Sequence, residues 1–256
     1  MQRVLITGAA GRIGSVLRER LRGQVPLRLL DIRTMPESAV DGEELVCADI
    51  RDVGAVAEAM AGCGAVVHLA GIPSEVGFEE LLDTNIRGTY HVLEAARHSE
   101  SCRRVVLGSS NHVTGFYPAD ETITAVAPPR PDGLYGVSKA YGEVLGRLYH
   151  EKHGLEVVAI RIGSFAPRPT SPRHAHTWIS PRDMSQLVQR CLEAPDVGWL
   201  VVYGTSDNGR SYWDDRDVWR RIGYVPEDSA DGVLDGAGAD AFQGGELARL
   251  HPRWKD

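Results

Sequence analysis

The 256-residue chain has only four cysteines, Cys47, Cys63, Cys102 and Cys191, and no two of them lie close together. That spacing suggests neither a zinc site nor a disulfide framework, so no metal is expected. The four thiols read as small buried hydrophobes in a reducing, cytoplasmic setting. Basic residues are in deficit as well. A formal net charge of −7 argues against nucleic-acid partners, which need a basic face. No apolar run approaches the length of a membrane span. The first strand begins directly after Met1-Gln-Arg, which predicts no signal peptide. Linkers, repeats and low-complexity tracts are missing too. With 43% hydrophobic residues, the chain can build one large α/β domain or two small ones.

What is present begins at once. Val4-Leu5-Ile6 is a short apolar run, followed by glycines 8, 11 and 14 and then a helical pattern through Val16, Leu17 and Leu21. Strand, glycine turn and helix form the context in which a dinucleotide pyrophosphate is bound. Gly8 permits the sharp turn, Gly11 the approach of backbone to phosphate, and Gly14 the packing of helix on strand. The first helical residues, Arg12 and Ile13, then offer N–H groups and the positive end of the helix dipole. The spacing T-G-x-x-G-x-x-G resembles that of the short-chain dehydrogenase/reductase superfamily.

Further strands follow at Leu27–Leu30, Leu45–Cys47, Ala65–Leu69 and Arg104–Leu107, each separated by helical patterning or a turn. This alternation predicts a parallel sheet with right-handed crossovers, with ligands at its strand ends. Asp31 ends the second strand, where a carboxylate accepts the adenosine ribose hydroxyls and repels a 2′-phosphate, favouring NAD; Arg33 nearby works against that preference. Asp49-Ile50 either holds the adenine edge, as the superfamily does at this place, or caps the helix Val53–Met60. His68 reads as a packed core histidine. A long helical pattern places Leu81, Leu82, Ile86, Tyr90, Val92, Leu93 and Ala96 on one apolar face and contains Asn85. That asparagine matches one supporting the superfamily's active site, with a surface or kink role as the alternative.

Tyr135-Gly-Val-Ser-Lys139 opens another helix. Spacing i, i+4 puts the phenol and the ammonium on one face. An unperturbed tyrosine near pKa ~10 is a poor base at neutral pH, and a neighbouring ammonium lowers it. Ser110, at the end of the fifth strand, supplies a hydroxyl to hold the reacting oxygen, with Ser109 as the competing choice. Pro181–Glu193 and Asp214–Ile222 read as helices, and Gly198–Tyr203 as a strand. Residues 223–245, rich in Gly, Ala and Asp, are expected to be mobile or irregular.

Longer motifs narrow the resemblance. Ser109-Ser-Asn-His112, Gly115-Phe-Tyr-Pro118, Arg130-Pro-Asp-Gly-Leu-Tyr-Gly-Val-Ser-Lys139, Arg161-Ile-Gly-Ser164, His176-Thr-Trp178, Trp213-Asp214 and Phe242-Gln-Gly-Gly245 together resemble the uronate dehydrogenase family. The resemblance spans nearly the whole chain. It implies one Rossmann-type, doubly wound α/β domain over 1–256, with residues from about 164 onward forming a small part that covers the substrate. It also implies oxidation of D-glucuronate or D-galacturonate at C1 to the aldarolactone, with NAD as acceptor, and a homo-oligomer. Residue by residue, it implies that Tyr135 is the base, tuned by Lys139, which also holds the nicotinamide ribose. Leu69-Ala70-Gly71 pass beside the cofactor, and Phe165 lines the nicotinamide. Ser74, Ser110, Asn111, His112 and Ser164 contact the sugar, and Arg173 holds its carboxylate. A guanidinium fork suits a carboxylate; Arg168 is a nearby competitor.

Two other functions fit parts of this pattern. A sugar-nucleotide epimerase or dehydratase shares the scaffold, but the dehydratases place an acidic pair after the serine where this chain has Asn111-His112. A redox-sensing protein that binds NAD without turnover tends to lose the tyrosine or lysine, and both are retained here.

Overall fold

The computed structural model describes residues 2–35, 39–233 and 240–249. In chain order it contains β1 (Arg3–Thr7), α1 (Arg12–Leu21), β2 (Leu27–Asp31), β3 (Glu43–Cys47), α2 (Val53–Met60), β4 (Cys63–His68), α3 (Phe78–Leu81), α4 (Gly88–His98), β5 (Arg104–Ser110), α5 (Leu134–His153), β6 (Glu156–Ile162), β7 (Ser164–Phe165), α6 (His174–Thr177), β8 (Trp178–Ile179), α7 (Pro181–Glu193), β9 (Trp199–Gly204) and α8 (Arg216–Ile222). Seven of the strands form one parallel sheet in the order β3-β2-β1-β4-β5-β6-β9. Val4 and Ile6 enter one core with Leu17 and Leu21 of α1 and Leu187 and Val188 of α7. Leu5 faces the opposite core, built with Val56 of α2 and Val92 and Leu93 of α4. Burial on both faces is why the β1 run is apolar without alternation. The strand order reverses at β1, leaving a crevice between the ends of β1 and β4, where doubly wound sheets bind ligands.

Local chemistry sets the element ends. Gly8 has φ +71°, and a Cβ there would sit 2.7 Å from the Ala70 backbone nitrogen. At Gly14 a Cβ would lie 2.3 Å from the Gly8 carbonyl, so only glycine lets α1 start this close to β1. Ser180 caps α7, with Pro181 as its first helical residue. The cap of α2 is Asp52, which accepts from the Gly54 and Ala55 N–H groups, so Asp49 is released from the capping alternative.

Several expectations change. The helix expected through 81–96 is interrupted by a π-helical stretch, Leu82–Arg87. The wider turn advances the register, so Tyr90 is exposed rather than part of the apolar face. Cys47 is exposed, unlike the other three cysteines, because β3 is an edge strand. Beyond Ser164, β9 completes the main sheet and α7 packs into one of its cores. Residues 223–233 and 240–245 are irregular as expected, but Gln243 is 1% exposed and donates to the Pro118 and Glu121 carbonyls. Part of that expectation, 234–239, lies outside the described residues.

Helix α1 is anchored at its far end by Glu43, whose carboxylate, 2% exposed, accepts from Arg18 at 2.7 Å and from Arg22 at 3.0 Å. The Arg18 hydrogen bond, against the opposing effect of burial, holds Glu43 down at about 2. A depressed carboxylate contributes stability that is complete above its unfolded value near 4.5 and is lost as pH falls toward 2. Glu43→Gln is therefore expected to lower unfolding free energy at pH 7 by up to about 3 kcal/mol. Denaturant titrations at pH 7 and pH 3 test this: the gap between wild type and variant should narrow at the lower pH.

Candidate active site

A cleft of about 980 Å³ opens at the strand ends on both sides of the β1/β4 crevice. Gly8, Gly11, Arg12 and Ile13 form its floor. No side chain caps α1, so its first-turn N–H groups face the cleft as an anion site. Arg12 turns away to donate to the Phe165 carbonyl, and its guanidinium lies 6.0 Å from the Phe165 ring, joining β7 to the glycine turn.

One end of the cleft is acidic. Asp31 is 5% exposed and accepts from the Ala10 and Arg33 N–H groups, both at 2.9 Å. Its two oxygens have lone pairs left for a diol. Arg33 spends its guanidinium on Asp31 and the Ala10 carbonyl. Asp49 and Ile50 line the same end, with the Asp49 carboxyl held below its usual value by hydrogen bonds from Arg51. An uncapped helix start, a buried diol acceptor and a cleft of this volume fit a dinucleotide.

The middle of the cleft holds the reactive groups. Tyr135 and Lys139 project from the first turns of α5, and Ser109 and Ser110 end β5. The two serines diverge. Ser109 donates at 2.6 Å to Glu143, which pairs with Arg161 at 2.9 Å, whereas the Ser110 hydroxyl accepts from the His112 N–H and lines the cleft with Tyr135. Strand alternation thus turns the Ser109 hydroxyl to Glu143 and leaves that of Ser110 without a carboxylate partner. Burial raises Tyr135 above the usual phenol value, opposed by the nearby Ser110 hydroxyl. Desolvation pulls Lys139 down to about 8. The Lys139 ammonium lies 5.9 Å from the Tyr135 ring and donates to the Gly108 carbonyl at 2.8 Å.

The far end is cationic. Arg173 lines the cleft, donating to Ser164 Oγ at 3.0 Å, to Asn111 Oδ1 at 2.7 Å and to the Gln243 carbonyl at 2.8 Å. Its Nε is shut from solvent and has no hydrogen-bond partner. Among the described residues no carboxylate is within ion-pair distance of it, although Asp240 and Asp132 act on it at longer range; burial pulls it below the usual arginine range. Arg168 is exposed and lies outside the cleft.

Leu69, Ala70, Gly71, Asn111, His112, Ser164 and Phe165 all line the cleft as expected. Three expected residues do not. Gly14 packs behind it, and Ser74 is exposed on the adjoining loop. Asn85 stands one layer back, bonding both polar groups of Ile72 and the Ser138 hydroxyl, so it holds the Gly71–Ile72 turn. His68 is a packed core residue between Thr7 and Thr89, held neutral by burial, which lowers it to about 3.

Sequence reading missed other residues. Glu75 accepts from the Leu134 and Tyr135 N–H groups, both at 2.9 Å, tying the 71–77 loop to the start of α5. Asp132 grips His112 at 2.7 Å, and His174 also lines the cleft. Only Asp132 carried a signal, since it sits in the motif that includes Tyr135.

The similarities to known proteins agree with this geometry. A uronate dehydrogenase from Pseudomonas putida is 47% identical over 230 residues, covering 90% of this chain and 85% of that protein. A variant uronate dehydrogenase from Agrobacterium tumefaciens, solved in complex with NAD, superposes with a TM-score of 0.91 at 40% identity, covering 100% of both chains. A glucuronic acid dehydrogenase from Chromohalobacter salexigens gives 0.91 at 38% identity, covering 98% of this chain and 99% of the other. Residues 4–234 match the family model for the NAD dependent epimerase/dehydratase family, and the chain belongs to that family.

Proposed function

We propose that this protein is an NAD-dependent uronate dehydrogenase that oxidises the C1 hydroxyl of D-glucuronate and D-galacturonate to the aldarolactone. The observation that carries the reading is Arg173: a cation in the cleft wall, lacking an ion-paired carboxylate, in the same cleft as Ser110, Tyr135 and Lys139. Its three hydrogen bonds go to neutral acceptors, so the charge is left for a ligand carboxylate. A uronate carries that carboxylate at C6, distant from the reacting C1.

Each residue then has a task. Ser110 holds the C1 oxygen, and Tyr135 as phenolate takes its proton, a general-base step. Lys139 supplies the cation that favours the phenolate in a dry site. The uncapped start of α1 receives the pyrophosphate, and Asp31 takes the adenosine ribose hydroxyls. Bound NAD supplies the hydride acceptor. Oxidation of a cyclic hemiacetal closes directly to a lactone, so the protein need only bind, orient and move one proton. Residues from about 164 onward cover the sugar within a single unit. A cytoplasmic location belongs to the same reading, as free thiols suit a reducing compartment.

The test is an absorbance assay for NADH with free uronates, neutral hexoses and nucleotide-linked sugars. The expected outcome is turnover of free uronates with NAD and little with NADP. Tyr135→Phe should keep NAD affinity and lose at least ~100-fold in turnover. Because a base raised by burial must first ionise, wild-type activity should climb with pH on the alkaline side. Turnover of nucleotide-linked sugars alone would reassign the enzyme.

Arg173→Ala should lower kcat/KM for uronates by roughly ten- to hundred-fold, the range for a charge-assisted hydrogen bond, while hardly changing any residual turnover of glucose. Arg168→Ala should stay near wild type; the reverse pattern would move the carboxylate contact to Arg168.

A homo-oligomer completes the proposal. Val137, Val144 and Leu148 are exposed along one side of α5, with Tyr90 exposed on neighbouring α4, and a second copy is the occupant proposed for this face. Sedimentation velocity should give a mass above that of one chain, and Val144→Glu should reduce it; a monomeric wild type ends this part of the proposal.

A further inference from the structure

The cleft contains a second hydrogen-bonded pair whose role the reaction above leaves open. His112 lies in the short 3-10 turn Asn111–Thr114 after β5, and its ring centroid is 5.9 Å from that of Tyr135. Its Nδ1 is 2.7 Å from Oδ2 of Asp132, whose side chain is 1% exposed. Asp132 stands two residues before α5, on the loop that delivers Tyr135, and its own N–H points to the His112 carbonyl at 3.4 Å. His112 is the side-chain hydrogen-bond partner of this carboxylate among the described residues.

The surroundings are shaped around that carboxylate. A Cβ on Gly115 would lie 1.9 Å from Asp132 Oδ2, and one on Gly244 would lie 1.8 Å from it. Two glycines from separate parts of the chain thus leave the space the carboxylate occupies. Gly244 also donates its N–H to the Gly115 carbonyl, which closes the cradle. A buried carboxylate so enclosed, facing one ring nitrogen, selects the tautomer with the proton on Nδ1. In that tautomer Nε2 carries a bare lone pair, and His112 lines the cleft.

We infer that Asp132 is a positioning residue that locks His112 into the Nδ1–H tautomer, making His112 a hydrogen-bond acceptor that selects a sugar hydroxyl next to the reacting carbon. The inference rests on the uronate reading for the identity of the sugar, and on the Asp132 cradle for the tautomer. It explains why a site with one base needs a second oriented ring: Ser110 handles the reacting oxygen, Arg173 the distant carboxylate, and His112 a hydroxyl between them. A substrate offering no O–H donor there would leave Nε2 desolvated and unpaired, and site groups left unpaired reject the analogue.

Two measurements on the full-length protein test it. First, 15N spectra of histidine-labelled wild type, taken without substrate at pH 8, should show His112 protonated on Nδ1 and bare at Nε2. Protonation on Nε2, alone or together with Nδ1, overturns the inference. Second, the isosteric Asp132→Asn is combined with His112→Ala in a double-mutant cycle. Asp132→Asn should lower kcat/KM for glucuronate about tenfold or more, mainly through KM, and by less than about twofold in the His112→Ala background. Equal losses in both backgrounds, or none in wild type, would show that Asp132 does not act through His112. If wild type oxidised no uronate, the substrate reading would fall, while the spectra would still decide the tautomer.

Discussion

A buried ion pair fixes where the reactive helix lies. Glu143 and Arg161 are 4% and 2% exposed, and they join α5 to β6 at 2.9 Å while Ser109 of β5 donates to the same carboxylate. Glu143 is one helical turn beyond Lys139, so the pair sets which face of α5 meets the sheet. Once Glu143 faces the sheet, Tyr135 and Lys139 must point toward the end of β5, where Ser110 waits. Such a pair adds little net stability compared with a packed apolar core, but a register that separated its members would strand a buried charge. Its value is in excluding other placements of the helix.

From that constraint the cleft acquires a polarity. At one end Asp31 offers a carboxylate whose N–H partners hold it in place. At the other, Arg173 offers a guanidinium held by Ser164, Asn111 and the Gln243 carbonyl. Between them Lys139 is drawn down by desolvation and Tyr135 is raised by it. Three loops meet at the start of α5 to keep this geometry: the Glu75 loop at its backbone, the Asp132 loop beside it, and the Gly244 segment across the cradle. None of the three is near the others in sequence.

The sequence by itself determined the sheet-and-helix alternation, the glycine turn, Asp31, Tyr135 and Lys139, and the boundaries of α2 and α7, which the structure reproduces residue for residue. These are local matters: apolar runs buried on two faces, glycines where a Cβ would collide, and an i, i+4 pair on one helix. The π stretch at Leu82–Arg87 was invisible because it is stabilised by Asn85 reaching Ile72 and Ser138, contacts made only after the chain folds. For the same reason only tertiary structure turns Ser109 to Glu143, puts Arg173 but not Arg168 in the cleft wall, and brings Glu75 to the start of α5 and Asp132 to His112. Each depends on which way a side chain points relative to an element many residues away. Local pattern specifies which faces are buried, whereas partners across the cleft are set by how those faces pack.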